Sequence, residues 1–303
     1  MTEVLFSNNL LKLFTNKNNS VFRGACKEIY SDIKGRVGFI YDDFDYNPKL
    51  IESWKQYNLD KIFVNARRRK TIRMDDKILF HKKMSSSKFT PESYLSINEI
   101  TDKESLYFVK KTGSTGGLGV NIYNYNNLKT VDTNECVIQK NISNPDLYND
   151  KRYKIRQLVL IYNKKVYIFK TSWFSCSNIN YNSDEKKNNE FKDKHVISQR
   201  SNTIFDLCEK LDKFNLIYEN IKLSINDFKV YYKTEIENIK ENEYAILGFD
   251  FIVDANKNVH IIEINHRSNY AHPKNVNKAC DTDFFKAVLN LLILDNKSQL
   301  EEI

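Results

Sequence analysis

Residues 247–265, LGFDFIVDANKNVHIIEIN, decide how this chain is read. Two β-prone runs flank an Asn-rich centre, the pattern of a β-hairpin. Folded about the Asn256–Lys257 pair, facing positions sum to 513, so Asp250 stands opposite Glu263, with side chains about 5 Å apart. Asn265 shares their face, because side chains alternate along a strand. Like charges so close repel unless a cation bridges them. Two carboxylates and an amide on a rigid hairpin suit Mg²⁺, which takes oxygen ligands and usually keeps phosphate and water as well. The segment therefore predicts a magnesium nucleotide site; an amphipathic hairpin with its charges in water is the competing reading.

Half of the eight glycines fall in residues 113–119, GSTGGLG. Glycine permits left-handed dihedrals and close approach, so N–H groups there can cradle phosphate. The segment has neither the GK[ST] ending of a P-loop nor a GxGxxG opening a helix. YFVKK precedes it and VNIYNY alternates after it, which predicts a glycine-rich β-hairpin over phosphates. Gly116 and Gly117 lie within that loop, and Lys111 ends the incoming strand where it would reach the phosphates. A plain surface hairpin is the alternative. Residues 137–142 run apolar and turn polar at Gln139, Lys140 and Asn141 before Ile142, which suits adenine: backbone groups pair its edge and side chains cover its faces. Arg152, Lys154 and Arg156 alternate along one strand and share a face, and three cations there need solvent or an anion such as triphosphate.

Elsewhere, strands at 37–41 and 61–65 flank a helix at 48–57, a small α/β unit. Residues 77–84 read as a short helix, 85–91 as a loop and 134–142 as a strand. Residues 154–161 and 165–172 read as a hairpin turning at Tyr162, Asn163 and Lys164. Apolar spacing predicts one long helix over 203–228 and another over 284–294. The basic run Arg67–Lys70 has no interleaved aromatics, so it reads as a solvated loop rather than a nucleic-acid patch.

With 303 residues, 41% hydrophobic and 13% aromatic, the chain can hold two or three modules with cores and is too apolar to be disordered. A net charge of +8 favours an anionic partner: nucleotide, acidic polypeptide or nucleic acid. Five scattered cysteines, in no CxxC or Cys/His spacing, indicate neither zinc nor a disulfide framework and fit a reducing cytoplasm. The opening MTEVLFSNNLLKLF lacks the basic flank and apolar run of a leader. No stretch approaches the roughly 20 apolar residues of a membrane span, so a soluble, cytoplasmic protein without a membrane partner is expected.

In order as well as content, these pieces resemble the ATP-grasp fold and more closely the tubulin-tyrosine ligase family. FVKK followed by GSTGGLG is similar to the family's strand, lysine and glycine loop, one residue shorter between Lys111 and the last glycine. VIQKNI resembles its hinge, with Asn141 in place of an aromatic. RYKIRQLVLIY resembles the strand in which lysine, aromatic, aspartate, spacer and arginine are usual; Arg152 and Arg156 fit, and Lys154 stands where aspartate is expected. LGFDFIVD with IIEIN matches the metal-binding hairpin, and MDDKILFHKK with PESY resembles the lysine-bearing helix, where Lys82 and Lys83 compete with Lys77. Two departures bear on specificity: Lys170, in IFKTS, replaces an arginine that contacts the incoming amino acid, and His195, Val196, Ile197 and Ser198 replace a His-x-Thr-Asn element.

The resemblance implies an α/β protein of ATP-grasp fold. Residues 1–95 would form a small N-terminal α/β domain, 96–145 a central subdomain with the glycine hairpin, and 146–303 a C-terminal subdomain with the metal hairpin, the last two clamping ATP. It implies an ATP- and Mg²⁺-dependent, ADP-forming carbon–nitrogen ligase, joining an amino acid to a protein or peptide carboxylate through an acyl phosphate. Lys77, Lys111, Gly116, Gly117, Gln139, Lys140, Ile142 and Arg152 would bind ATP; Asp250, Glu263 and Asn265 would hold magnesium; Arg156 and Lys170 would act at the reacting groups. The acceptor is expected to be acidic, with tubulin among the candidates. Three rivals remain: a kinase of a polyanionic small molecule using Lys154 and Lys170, a nucleotide-binding module that has lost catalysis, and, fitting least, a nucleic-acid binder.

Overall fold

The computed structural model describes residues 2–7, 10–15, 20–29, 37–40, 61–66, 72–113, 119–177, 180–181, 203–266 and 275–303. In chain order the N-terminal elements are β1 (Thr2–Ser7), β2 (Leu10–Thr15), α1 (Ser20–Ile29), β3 (Val37–Ile40), β4 (Lys61–Asn65) and α2 (Lys77–Met84). Next come β5 (Ser93–Tyr94), β6 (Leu106–Lys111), β7 (Val120–Asn124), α3 (Tyr125–Leu128) and β8 (Cys136–Lys140). Then follow β9 (Leu147–Tyr148), β10 (Lys151–Tyr162), β11 (Lys165–Phe169), β12 (Trp173–Cys176) and β13 (Ile204–Leu207). The chain closes with α4 (Phe214–Tyr231), α5 (Lys233–Glu237), β14 (Glu243–Val253), β15 (Val259–Asn265), α6 (Asn275–Leu294) and β16 (Leu300–Glu302).

This is a mixed α/β fold with a large sheet and a small one. The large sheet is framed by an antiparallel ladder in which β10 residues 155–162 face β14 residues 251–244. Each frame strand is long enough to offer its outer edge to two short strands. β10 takes β12 at Tyr153–Arg156 and β11 at Val159–Tyr162; β14 takes β15 near its end and, in parallel, β4 near its start. Through β4 the sheet continues to β3, β1 and β2, so the N-terminal strands extend the same sheet as the C-terminal ones. The small sheet runs β5-β8-β6-β7.

Helices cover both faces of the frame, which is why every residue of β14 is buried. On one face Ile155, Val159, Phe249 and Phe251 pack with Ile217, Ile221, Ile225 and Phe228 of α4. On the other, Leu158, Leu160, Tyr244 and Ile246 pack with Phe284, Val288 and Leu291 of α6 and with Ala25 and Cys26 of α1. The small sheet has its own core of Tyr107, Val109, Ile138, Leu128 and Ile100.

Several expectations need correcting. Residues 203–228 are not one helix. Ile204–Leu207 is a strand paired to β12, and α4 begins only after Lys213, whose φ of 55° is left-handed. Pairing with Trp173–Cys176 outweighs the helical spacing of Ile204, Leu207 and Leu211. The β10–β11 hairpin turns on two residues rather than three: Asn163 and Lys164, at φ 49° and 62°, form the primed turn that matches strand twist. β11 stops at Phe169, and β12 is a separate strand. The strand expected at 134–142 is trimmed to Cys136–Lys140, and the closing helix starts earlier, at Asn275. The expected helix at 48–57, the basic run Arg67–Lys70, Gly116, Gly117 and residues 195–198 lie outside the described residues. Among the described residues no helix is long and apolar enough to cross a membrane.

Candidate functional site

The apolar half of the α6-facing surface ends at Leu158, and the next residue on that face, Arg156, is charged. There the register lines up Trp173 (β12), Arg156 (β10), Asp250 (β14) and Glu263 (β15) as one row across four strands. Gly248, paired with both Leu158 and Asn265, sets the adjacent row, so Asn265 lies on the same face.

The hairpin reaches this register by a route the sequence concealed. Near the tip, Val253 faces Val259 and Phe251 faces Ile261, pairs that sum to 512 rather than 513. A bulge then inserts Ile262 on β15 and brings Glu263 opposite Asp250. The tip itself is held by Asp254, whose carboxylate accepts from the amides of Asn256 and Asn258, each at 2.9 Å, with Lys257 at φ 66°.

Asp250 is 1% exposed, and both of its oxygens are engaged. Arg156 Nε donates to Oδ1 at 2.5 Å, Arg156 Nη2 to Oδ2 at 3.2 Å, and Lys154 Nζ to Oδ2 at 3.0 Å. Burial works against the Asp250 anion, but Arg156 and Lys154 together outweigh it and hold its pKa below the usual carboxylate range. Glu263 Oε1 meets Lys77 Nζ at 3.3 Å. Asp76 aims that lysine: its carboxylate caps α2 by accepting from Ile78 N and Leu79 N, both at 3.0 Å, so the helix begins at Lys77. Met74 N donates to His266 Nε2 at 3.0 Å, tying the approach to α2 beside the end of β15.

The small sheet supplies the opposite wall. Lys110 Nζ donates to Gln139 Oε1 at 2.6 Å and to the carbonyl of Ile262, the bulge residue, at 3.0 Å. Burial pushes its pKa down to about 8, with Glu263 opposing the shift and Lys77 adding to it. Lys77, Ser93, Lys110, Gln139 and Glu263 thus line one cleft between the small sheet, α2 and β15.

Not every expected residue faces this cleft. Lys111 follows Tyr107 and Val109 onto the other face of β6, so the cleft lysine is Lys110. The signal was present: Phe108 and Lys110 share a parity that Lys111 does not. Lys140 turns away from Gln139 and pairs with Glu92 and Asp102, each at 3.1 Å. The amides of Lys140 and Asn141 already donate to Glu92 O and Leu106 O, at 2.8 Å each, leaving Ile142 the first amide beyond them. Arg152 is buried, donates to Asn141 Oδ1 at 2.8 Å and stands over the Phe108 ring, so it braces the small sheet against the large one. Desolvation lowers its pKa to about 10, with Tyr181 opposing. Lys170 is exposed and its Nζ bonds Ser298 O at 2.8 Å, away from the Asp250 row. The glycine loop is described only at its flanks, where Gly113 and Gly119 adopt φ of 73° and 74°.

One group escaped sequence reading. Asp281 of α6, fully buried, accepts from Trp173 Nε1 at 3.2 Å, and the Trp173 ring in turn lies 5.8 Å from the Arg156 guanidinium carbon. Burial raises the Asp281 pKa to about 7, against the opposing pull of Trp173 and Arg156.

Fold and site define a mixed α/β protein with a row of charges beside a cleft. The chain belongs to the tubulin-tyrosine ligase family, whose profile matches residues 45–198 and 175–300. It is similar to tubulin glycylase 3B of Tetrahymena thermophila, with 20% identity over 187 residues. That match takes in 53% of this chain and 16% of the relative, so the chain spans a small part of the curated relative's length.

Proposed function

We propose that the chain is an ATP-dependent ligase of the tubulin-tyrosine ligase type, joining an amino acid to a protein or peptide carboxylate on an ATP-grasp scaffold. The observation that carries this reading is the Arg156–Asp250–Glu263 row, whose Glu263 lines one cleft with Lys77, Lys110 and Gln139. Condensing an acid with an amine requires an activated acyl group. In the proposed reaction a carboxylate oxygen bonds the γ-phosphorus of ATP as ADP leaves, and the amine then displaces phosphate and gives up a proton. Phosphoryl transfer of this kind depends on positioning and charge stabilisation rather than on an enzyme nucleophile.

On this reading adenine lies along β8 beside Gln139 and Ile142, while Lys77 and Lys110 hold phosphate oxygens. Arg156 Nη1 is buried with no hydrogen-bond partner among the described residues, which suits a donor kept for the transferred phosphoryl group and the tetrahedral adduct. Gly116 and Gly117 would cover the phosphates. Asp250, Glu263 and Asn265, on one face of the hairpin, are the candidate donors; among the described residues no group of three His, Cys, Asp or Glu side chains forms a metal cluster. Of these, Glu263 and Asn265 offer hard oxygens that fit magnesium, whereas both Asp250 oxygens are taken. Bound there, magnesium would supply positive charge to offset that of the phosphates. The net charge of +8 favours an acidic acceptor, and tubulin, named in the relative, is a candidate. The kinase reading needs Lys154 and Lys170 in one pocket; Lys154 is bound to Asp250 and Lys170 to Ser298 O, which weakens it.

The test is ADP release from Mg·ATP across the twenty amino acids with an acidic peptide present, run beside Glu263→Gln. Release that requires one amino acid and disappears in the variant supports the ligase and names its donor. Release that is flat in every mixture counts against it.

A further inference from the structure

Lys154 occupies the place where a cation would have to meet Asp250. An ionised carboxylate has about four acceptor positions. Three on Asp250 are filled, by Arg156 Nε, Arg156 Nη2 and Lys154 Nζ, and the group is 1% exposed. A divalent ion at the short distances magnesium demands would have to expel the Lys154 ammonium or sit against it. The wider cleft also carries more cations than anions: Lys77, Lys110, Lys154 and Arg156 against Asp75, Asp250 and Glu263. Those cations are side chains fixed on β6, β10 and α2.

We propose that Lys154 is a built-in counter-ion standing in for a metal at Asp250, so that this chain binds a nucleoside polyphosphate with little dependence on divalent cation. The inference rests on the nucleotide reading of the cleft and deepens it. It concerns binding alone: Glu263 and Asn265 would remain the donors for a magnesium ion used in turnover. Replacing Lys154 by aspartate lowers the local charge by two, so the variant should need from solution what the native chain carries in its sequence.

The experiment measures the affinity of the whole chain for a non-hydrolysable ATP analogue by calorimetry, once with magnesium and once with EDTA, for the native protein and for Lys154→Asp. The expected result is native affinities within about threefold of each other, and a loss of about tenfold or more on metal removal in Lys154→Asp, a difference of about 1.4 kcal/mol. Native binding that falls tenfold or more in EDTA overturns the inference and leaves the nucleotide reading standing. No analogue binding by the native chain in either condition overturns both. A native chain insensitive to EDTA whose folded Lys154→Asp variant, verified by circular dichroism, is equally insensitive also overturns it, because the metal independence would then have another source.

Discussion

The α6-facing surface of the β10–β14 ladder is two surfaces meeting within one pleat. On one side Leu158, Leu160, Tyr244 and Ile246 pack against α6; on the other Lys154, Arg156 and Asp250 pack against each other. The backbone pairing is continuous from Ile155 to Tyr162, so the ladder does not distinguish them. The difference lies in what each half requires of its neighbours. The apolar half is satisfied by any well-packed hydrocarbon, while the charged half is satisfied only as a set, because removing one member leaves another buried and uncompensated.

The largest test of that contrast is to push the apolar half one residue further. Arg156→Leu should cost about 3–5 kcal/mol in urea unfolding although it adds apolar surface, since Asp250 is left with Lys154 alone. Adding Asp250→Leu should restore part of that stability, because the stranded carboxylate is then gone and only Lys154 is left without its partner. Both variants should lose nucleotide binding. Equal stability of the single and double variants would break the comparison.

Next in size, Leu158→Ala should cost about 2–5 kcal/mol through the cavity it leaves under α6. Nucleotide affinity should change by less than about twofold, a difference of about 0.4 kcal/mol. Affinity that falls in step with stability would show that the halves are not separable.

Two aspartates on this face sharpen the contrast through pH. Asp250, beside two cations, has a folded pKa below its unfolded value of 3.8, so its contribution is complete above that pH and lost as pH falls through the folded pKa. Asp281, buried against Trp173, has a folded pKa of about 7, above the unfolded 3.8. The folded state keeps a proton there that the unfolded state has released, so stability declines as pH rises from about 4 to about 7. Asp281→Asn keeps an acceptor for Trp173 and cannot ionise. It should raise stability at pH 8 by at least about 1 kcal/mol, or about 2 °C in Tm, and leave it unchanged at pH 4. An equal effect at both pH values would refute the assignment.

The sequence disclosed the chemistry of the charged half more fully than its geometry. The hairpin carrying Asp250 and Glu263 was legible because strand alternation and a turn-prone tip leave few registers, yet the register was reached through a bulge at Ile262 that no local signal marks. The lysine pair in FVKK shows the limit of residue identity: alternation admits one lysine to the cleft, and only the parity of Phe108 tells which. Lys154 was visible as a departure, but not as the partner of Asp250, since that contact spans two strands far apart in sequence. Asp281 gave no signal because its environment is made by Trp173 on another element. The strand at Ile204–Leu207 was hidden for the same reason.

The smallest expected effects come from lysines that look functional in sequence and lie outside the set. Lys111→Ala and Lys170→Ala should each change analogue affinity by less than about twofold and stability by no more than about 0.5 kcal/mol. Lys111 is on the far face of β6, and Lys170 gives its ammonium to Ser298 O at the surface. Lys110→Ala is the matched control. It removes the bonds to Gln139 and the Ile262 carbonyl and should weaken binding about tenfold or more. Native affinity should also fall as pH rises through about 8, where Lys110 gives up its proton. If Lys111→Ala proved the damaging change and Lys110→Ala the silent one, the parity of β6 would be reversed, and with it the assignment of which face of the small sheet closes on the charged half.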